Sequence, residues 1–308
     1  MKLEIIAVES LGVRGLCCCV RTKDRTILID PGIALGYTRD GLLPHPFQVA
    51  VGERIRGTIV RRWARATDIV ISHFHGDHVP LANANPYQLS ADAVAGLNPS
   101  VRLWAKNPQD RSPLEEKRAE QLTGLLETTL IPAESKTSGG LSFSGAVPHG
   151  RKYGNRQSVM MTRIEDEGFV FVHASDIQLL CDEPVSLILS WKPDIVLAGG
   201  PPLYLGRRVP AGLLEQARGN ARRLARGVDT LILDHHLLRS RNGTDWLNEI
   251  AAETGKTVIC GADFMNTPRL LLEASRERLY RNMPVPPGWH EAYARGDATT
   301  APYWGGYS

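Results

Sequence analysis

The fold of this chain is decided by the stretch Ile71-Ser72-His73-Phe74-His75-Gly76-Asp77-His78-Val79-Pro80. It places four side chains that can bind a metal within six residues, directly after the apolar run Asp68-Ile69-Val70-Ile71. A short β-branched run that enters a turn with glycine predicts a buried strand followed by a tight loop. Imidazole and carboxylate ligands without a neighbouring cysteine indicate a catalytic site for zinc, iron or manganese rather than a structural zinc site.

Length and composition are those of an ordinary soluble protein. The chain has 308 residues, of which 43% are hydrophobic and 22% are charged. It shows no internal repeat, linker or low-complexity segment, so we expect a single domain over residues 1–308. No apolar stretch approaches the ~20 residues of a membrane helix, and the first residues have no signal-peptide profile. We therefore expect a cytoplasmic location and no membrane partner.

The cysteines and arginines give weaker indications. Cys17, Cys18 and Cys19 are consecutive, whereas Cys181 and Cys260 are isolated, which is neither a zinc-ribbon spacing nor a disulfide framework. Adjacent strand residues point to opposite faces, so we interpret the triplet as small buried apolar residues. The chain has 28 Arg and 8 Lys, and the planar fork of arginine recognises phosphate and carboxylate. This usage leans toward an anionic substrate, although genomic base composition or heat adaptation explains it at least as well.

Hydrophobic periodicity predicts two halves that each begin with strands and then acquire helices. In the first half we predict strands at 3–8, 16–21, 26–30, 68–71 and 101–105, helices at 53–66 and 113–127, a loop near the site at 33–52, and an insertion or flap over the metal face at 81–135. In the second half we predict strands at 141–147, 158–164, 169–173, 194–197, 230–233 and 257–260, helices at 184–190, 211–226, 245–253 and 268–281, and a C-terminal tail at 283–308.

Further metal candidates follow later strands. His149, Asp176 and the pair His235-His236 each come at the end of a predicted strand. Any one of them alone is more often structural, as a helix cap, a turn former or a hydrogen-bonded core residue. Together they supply the ligands that the first four side chains lack for two complete metal shells.

Taken in order, Asp30, the His-x-His-x-Asp-His block, His149, Asp176 and a final His resemble the metal-binding signature of the metallo-β-lactamase superfamily. The match covers roughly residues 28–240. The resemblance implies an α/β fold, a four-layer αβ/βα sandwich of two mixed β-sheets flanked by helices with the metals at one open edge. It also implies two divalent ions, zinc in the first place and iron or manganese as alternatives.

The resemblance implies specific ligands. One ion is held by His73, His75 and His149, the second by Asp77, His78 and His235, and Asp176 bridges the two. Asp30 resembles the early aspartate that holds the metal loop by hydrogen bonds without binding metal, and His173 and His236 are expected near the metals.

The choice between His235 and His236 stays open on the residues alone, since both follow the strand directly. If strand geometry persists through them, only one should face the metals. We prefer His235 because His235 and Arg239 resemble the His-x-x-x-Arg segment of transfer-RNA 3′-processing enzymes in the superfamily.

The resemblance also narrows the chemistry. Antibiotic-degrading members have a cysteine where Asp176 stands, and a carboxylate there is typical of the phosphodiesterase, thioesterase and nuclease branches. We therefore predict a dinuclear hydrolase in which hydroxide held between two ions attacks a phosphodiester or another small anionic ester, with Asp77 accepting a proton. The alternatives are a nucleic-acid processing nuclease and a non-catalytic metal- or ligand-binding protein. The 58 residues between Asp176 and His235 leave no room for the large domain that RNA-cleaving members insert there.

Substrate contacts are predicted from loops near the ligands, because loops on a rigid scaffold usually carry specificity. The candidates are Lys152, Tyr153, Arg156, Tyr204 and Arg239. The predicted helix 211–226 also carries a basic stripe of Arg218, Arg222 and Arg226, which is either a solvated face or an anchor for a phosphate backbone. Neither the substrate nor the oligomeric state follows from the sequence.

Overall fold

The computed structural model describes residues 1–150 and 157–304, and its centre is a pair of mixed β-sheets. The first sheet has its strands in chain order, namely β1 (Lys2–Ala7), β2 (Cys17–Arg21), β3 (Thr26–Ile29), β4 (Asp68–Ile71), β5 (Arg102–Ala105) and β6 (Leu130–Pro132). The second sheet also keeps chain order, with β7 (Thr137–Ser138), β8 (Leu141–Pro148), β9 (Ser158–Asp166), β10 (Phe169–His173), β11 (Ile195–Ala198), β12 (Thr230–Leu233) and β13 (Thr257–Ile259).

The two sheets repeat one plan. Strands β1 to β3 are antiparallel and β3 to β6 are parallel. In the same way β7 to β10 are antiparallel and β10 to β13 are parallel. Parallel strands end at the same edge of a sheet, and the loops at their carboxyl ends form the binding crevice in sheets of this kind. The loops that follow β3, β4, β10 and β12 therefore belong to one edge of the molecule.

Helices cover the outer faces of both sheets. In the described residues they are α1 (Pro46–Trp63), α2 (Pro113–Leu126), α3 (Asp182–Ser190), α4 (Ala211–Gly227), α5 (Gly243–Thr254), α6 (Gly261–Phe264), α7 (Arg276–Asn282) and α8 (Trp289–Arg295). None of these helices combines the length and the apolar character that crossing a membrane requires.

Three apolar layers hold the elements together. One lies between the first sheet and helices α1 and α2, a second lies between the two sheets, and a third lies between the second sheet and helices α3, α4 and α5. Strand β2 shows the alternation directly, because Cys17 and Cys19 pack toward α1 whereas Cys18 packs between the sheets. All three thiols are buried and free. The predicted four-layer sandwich of two mixed β-sheets flanked by helices is confirmed.

Helix α1 begins earlier than predicted. We expected a loop over 33–52 and a helix from residue 53, but α1 begins at Pro46, so the loop prediction is wrong for its last seven residues. The His45 side chain caps this helix by accepting a hydrogen bond from the Phe47 amide, and a proline in the first turn fits because its missing N–H would have no helical partner.

The segment 81–135 is part of the sandwich. Strands β5 and β6 pair in parallel with β4 and with each other, and α2 packs into the outer apolar layer. The prediction of an insertion or flap is therefore wrong for these three elements.

The C-terminal region also differs from the prediction. We expected one helix over 268–281, but the helix found there, α7, begins only at Arg276 and ends at Asn282. Glu273 is buried and binds the guanidinium of Arg14, so a tertiary ion pair fixes the preceding turn in place of helical hydrogen bonds. The predicted tail contains the short helix α8, whose Trp289 is buried against the first apolar layer.

Candidate metal centre

Five strand ends deliver the candidate ligands to one edge of the sandwich. Asp30 follows β3, His149 follows β8, and the loop after β4 carries His73, His75, Asp77 and His78. Asp176 lies three residues beyond β10, and His235 and His236 lie two and three residues beyond β12. The structure thus brings together side chains that are separated by more than 200 residues in the sequence.

The turn after β3 lets the two loops approach closely. A Cβ atom at Gly32 would lie 2.1 Å from the Val79 amide nitrogen and 2.3 Å from the His78 carbonyl carbon. Only glycine fits such a contact between backbones, so Asp30-Pro31-Gly32 positions the metal loop as well as ending the strand.

The centre of the cluster is the buried carboxylate of Asp176, and each of its oxygens faces its own set of ring nitrogens. Oδ1 lies 3.0 Å from His78 Nε2 and 3.3 Å from His235 Nε2, whereas Oδ2 lies 3.2 Å from His149 Nε2, 3.3 Å from His236 Nε2 and 3.6 Å from His73 Nε2. This is the geometry of a carboxylate that bridges two cation positions.

The ligand atoms fall into overlapping groups in which all atoms lie within 4.8 Å of one another. The groups are Asp30, His73 and His78; His73, His75 and Asp176; Asp77, His78 and His235; and His149, Asp176 and His236. Asp30 differs from the other members because Ser72, Ser175 and His78 already donate to its oxygens.

Several of these atoms have no hydrogen-bond partner although they are buried. They include His73 Nε2, His78 Nε2 and Asp176 Oδ1. In addition, His149 Nε2 and His236 Nε2 lie 3.3 Å apart, a contact that two lone pairs cannot make without a proton or cation between them. Buried polar atoms rarely lack a partner in native proteins, and each of these would gain one from a divalent ion. The residues present therefore fit a metal centre.

Asp30 sets the tautomer of His78. Its Oδ2 lies 2.9 Å from His78 Nδ1, so Nδ1 donates to the carboxylate and Nε2 faces Asp176. Asp30 also accepts from the Ser72 amide and hydroxyl at 2.8 and 2.7 Å. Orienting a metal-binding histidine and its loop through hydrogen bonds is the role that the sequence predicts for Asp30.

Four of the candidate histidines are kept neutral. Burial, reinforced by neighbouring imidazoles, lowers the pKa of His73 well below its usual range, and burial also lowers the pKa of His75. The pKa of His235 is lowered to about 4 by burial and by Arg239, and burial takes that of His236 well below its usual range. Neutral imidazole has a free lone pair, which is the form that binds a metal.

The carboxylates are kept charged. Burial raises the pKa of Asp77 and Asp176, but His78 and His235 outweigh burial, and the pKa of each carboxyl lies below its usual range. Burial lowers the pKa of His78, but Asp176 and Asp30 more than reverse this and raise it well above the usual range. Asp176 and Asp30 thus favour a positive charge, from a proton or a cation, between His78 Nε2 and Asp176 Oδ1.

Both adjacent histidines face the cluster. The nearest oxygen of Asp176 lies 3.3 Å from Nε2 in each of them, so the expectation that only one would face the metals is wrong. Strand β12 ends at Leu233, and His236 has helical backbone angles, so the alternation of strand side chains no longer applies. His235 faces Asp77 and His78, whereas His236 faces His149 and the Tyr204 ring.

Arg239 is buried beside the second group. Its Nη2 lies 3.3 Å from Asp77 Oδ2 and 2.6 Å from His235 Nε2, and its Nη1 lies 3.4 Å from the Tyr204 hydroxyl. Behind it, Nε lies 3.6 Å from Oε2 of the fully buried Glu9. The structure thus places Arg239 and Tyr204 at the centre, where the sequence predicts them.

The other predicted residues belong to none of the ligand groups in the described part of the chain. His173 ends β10 and donates from Nε2 to the Leu16 carbonyl at 2.7 Å, so it ties the second sheet to the chain before β2. Lys152, Tyr153 and Arg156 lie outside the described residues. On α4, Arg218 and Arg222 form ion pairs with Glu249 and Glu253 of α5.

Three groups around the metal loop were not predicted. The Ser72 and Ser175 hydroxyls lie 2.7 Å apart and both contact Asp30, so they join the two loops from the two sheets. Glu115 of α2 accepts from the Phe74 amide at 3.3 Å. The capping signal Ser112-x-x-Glu115 was visible in the sequence, but the second role of the glutamate depends on tertiary contact.

Comparison with known proteins shows which family the chain belongs to. No protein-family model matches the chain. A UPF0282 protein of Methanosarcina mazei is 48% identical to it over 303 residues, which is 98% of this chain and 99% of the relative. The chain belongs to the UPF0282 family. A second UPF0282 protein, from Thermococcus onnurineus, is 33% identical, and the match covers 91% of this chain and 95% of that protein.

Among solved structures, this UPF0282 protein is similar to the Zn²⁺-bound PqqB of Methylobacterium extorquens, with 13% identity, a TM-score of 0.46 and 91% of this chain and 95% of that chain covered. It is also similar to the short form of human tRNase Z, with 12% identity, a TM-score of 0.41 and coverage of 76% and 92%, respectively.

Proposed function

We propose that this UPF0282 protein is a dinuclear metal-dependent hydrolase. The observation that carries the proposal is the buried Asp176 carboxylate, whose two oxygens face separate sets of imidazole nitrogens, of which His73 Nε2 and His78 Nε2 lack a hydrogen-bond partner. Two-metal hydrolases need such a bridging carboxylate, together with neutral imidazoles and further carboxylates that complete each metal shell.

In the proposed site, His73, His75 and His149 hold the first ion, Asp77, His78 and His235 hold the second, and Asp176 bridges them. The mixed nitrogen and oxygen donors suit zinc, and they also accommodate iron or manganese. His236 lies beside the first position, close enough to His149 to act as an additional ligand or as a hydrogen-bonding group for substrate.

Two bound divalent ions would lower the pKa of a shared water and polarise the oxygen of a scissile ester. The side chains of the protein would orient the attacking water. Asp77 keeps its negative charge at neutral pH, its side chain is 17% exposed, and it can hold a proton of the attacking water. Arg239 fixes Asp77 through the contact at 3.3 Å, and its own Nη1 lies within 3.4 Å of the Tyr204 hydroxyl.

The substrate class we propose is a phosphodiester or another small anionic ester. Two cationic side chains contact the metal loop, Arg239 at Asp77 and Arg118 at Phe74. Positive charge close to a reaction centre attracts anionic substrates and stabilises negative charge that develops on them.

Nucleic-acid processing is a weaker alternative. The arginine stripe on α4, which would have been its anchor, loses two of its three charges to Glu249 and Glu253. A non-catalytic metal-binding role is also less favoured, since the full set of predicted ligand positions is filled by residues that can bind a metal.

The test is metal analysis followed by a substrate screen. Elemental analysis of purified protein should give two divalent ions per chain, and the zinc-loaded protein should hydrolyse at least one compound from a panel of phosphodiesters, thioesters and lactones. Asp77→Asn should reduce kcat at least ~100-fold with little change in KM, because the amide keeps the shape but loses the charge.

Asp229→Asn provides the control, because this exposed carboxylate precedes β12 and lies outside the ligand groups. Its metal content and turnover should match those of the wild type. One tightly bound ion or none after metal-supplemented purification, or a fully active Asp77→Asn protein, would contradict the proposal.

A further inference from the structure

Helix α2 brings a guanidinium to the metal loop. Arg118 donates from Nη1 to the Phe74 carbonyl at 2.7 Å, and Phe74 lies between the candidate ligands His73 and His75. The side chain is partly exposed, and the opposite charges that act on it are those of Asp77 and Glu115. Arg118 thus lies beside the backbone of the metal loop, between two candidate ligands of the first metal position.

The charges near Arg118 are already paired with one another. Lys106 is fully buried and binds both carboxylate oxygens of Glu115, at 3.2 and 3.3 Å. Arg111 binds the Lys106 carbonyl and forms an ion pair with Glu116 at 3.1 Å, while its guanidinium covers the Phe74 ring. Arg118 forms no ion pair with any acidic side chain in the described ranges 1–150 and 157–304.

Other arginines near the centre are occupied. Arg14 makes a bidentate pair with Glu273, with both contacts at 2.5 Å. Arg239 contacts Asp77, His235, Tyr204 and Glu9. Arg118 uses one of its five N–H groups on Phe74, and its remaining donors have no acceptor within the described part of the chain.

We propose that Arg118 binds an anionic oxygen of the substrate beside the first metal position and makes the site selective for phosphate-type esters over neutral esters. The inference rests on the proposed hydrolase function. The Phe74 carbonyl fixes the guanidinium, and its free edge matches two oxygens of a phosphoryl group, which arginine recognises through parallel hydrogen bonds.

The first test measures binding without turnover. Inorganic phosphate is titrated into zinc-loaded wild type, Arg118→Met, Arg118→Lys and Lys117→Met, with isothermal calorimetry as the readout. Loss of a charge-assisted hydrogen bond should raise Kd about tenfold or more in Arg118→Met, and Arg118→Lys should recover part of the affinity. Lys117→Met removes one positive charge from an exposed position of the same helix and should leave Kd unchanged.

The second test separates substrate contact from support of the metal loop. With bis(p-nitrophenyl) phosphate, Arg118→Met should raise KM about tenfold or more. With the neutral ester p-nitrophenyl acetate, KM should stay at the wild-type value. Zinc content is measured for every variant, and Arg118→Met should retain as much zinc as the wild type.

The outcomes are decisive in both directions. No phosphate binding by the zinc-loaded wild type, or equal Kd values for wild type and Arg118→Met, would overturn the inference. Loss of zinc from Arg118→Met, with equal effects on both esters, would also overturn it by showing that Arg118 only shapes the loop. If the wild type hydrolyses no ester, the proposed function fails, while the phosphate titration still decides whether Arg118 is an anion-binding residue.

Discussion

Asp176 is the central residue of the candidate metal centre, because each of its two oxygens faces a different set of ring nitrogens. Its position three residues beyond β10, after Ser175 with φ of 53°, places the carboxylate between loops from both sheets. A neutral amide at this position would keep the volume but would bridge two cations poorly. We therefore expect Asp176→Asn to affect metal binding more than it affects the hydrogen bonds within the protein.

The two adjacent histidines give a prediction at this scale. His235→Ala should remove the second ion, because His235 faces Asp77 and His78. His236→Ala should leave the second ion in place and weaken the first position, which His236 approaches beside His149. Elemental analysis and zinc titration of each variant make the comparison. Loss of the second ion from His236→Ala alone would reverse the assignment.

Glu9 gives a prediction on pH. This carboxyl is fully buried without a hydrogen bond to either oxygen, and burial, with Glu273 adding to it, raises its pKa from 4.5 to about 8. The folded state then binds a proton that the unfolded state releases, so stability should fall as pH rises from about 4.5 to about 8, by at most ~1.4 kcal/mol per pH unit.

The measurement is denaturant unfolding of wild type and Glu9→Gln at several pH values. Glu9→Gln cannot ionise at this position, so its free energy of unfolding relative to that of the wild type should increase with pH across this window. The other titrating groups are the same in both proteins, so their contribution cancels when the two free energies of unfolding are subtracted at each pH. Parallel curves would show that Glu9 does not titrate in this range.

Helix α2 and the preceding loop carry a buried ion pair that supports the metal loop. Lys106 and Glu115 bind each other, and Glu115 also accepts from the Phe74 and Ser112 amides. Lys106→Met should destabilise the protein by about 3–5 kcal/mol, since it leaves a buried carboxylate without its counter-ion. The double variant Lys106→Met/Glu115→Gln should recover part of this loss. Denaturant unfolding of Lys106→Met, Glu115→Gln and the double variant gives the coupling energy between the two residues. Strictly additive changes in the free energy of unfolding would contradict a direct interaction between them.

Elements show which parts of the structure the sequence could predict. The strands that carry the ligands were predictable because β-branched runs ending in Asp or His have a local signature, and parallel strands share an edge. The start of α1 was hidden because Pro46 and Gly52 suggested a loop, whereas the His45 cap depends on the folded backbone. The helix expected over 268–281 had the right periodicity, but Glu273 is bound by Arg14, a residue 259 positions away.

The same reasoning applies to the site. The convergence of the candidate ligands was predictable from their types and order, because a metal requires nitrogen and oxygen donors at one point. The approach of His236 to the centre was not predictable. The prediction extended the alternation of strand side chains past Leu233, but β12 ends at that residue. The spare donors of Arg118 could not be read from the sequence either, because they depend on which acidic groups the fold has already paired.

Across the whole molecule, the candidate metal centre contains residues from both sheets. His73 and His78 belong to the first sheet through β4, whereas Asp176 and His235 belong to the second through β10 and β12. Bound metal would therefore act as a cross-link between the halves and would stabilise only the folded state. By mass action, free metal at 1,000 times Kd contributes about 4 kcal/mol.

The last prediction follows from this linkage. Removal of metal with a chelator should lower the free energy of unfolding by several kcal/mol and lower Tm, and addition of zinc should restore both. Asp176→Asn should show little of this response, because it loses the bridge, whereas Asp229→Asn should respond as the wild type does. Thermal and denaturant unfolding with and without zinc provide the measurement. Unfolding curves of the wild type that coincide with and without metal would mean that no ion joins the sheets at this edge.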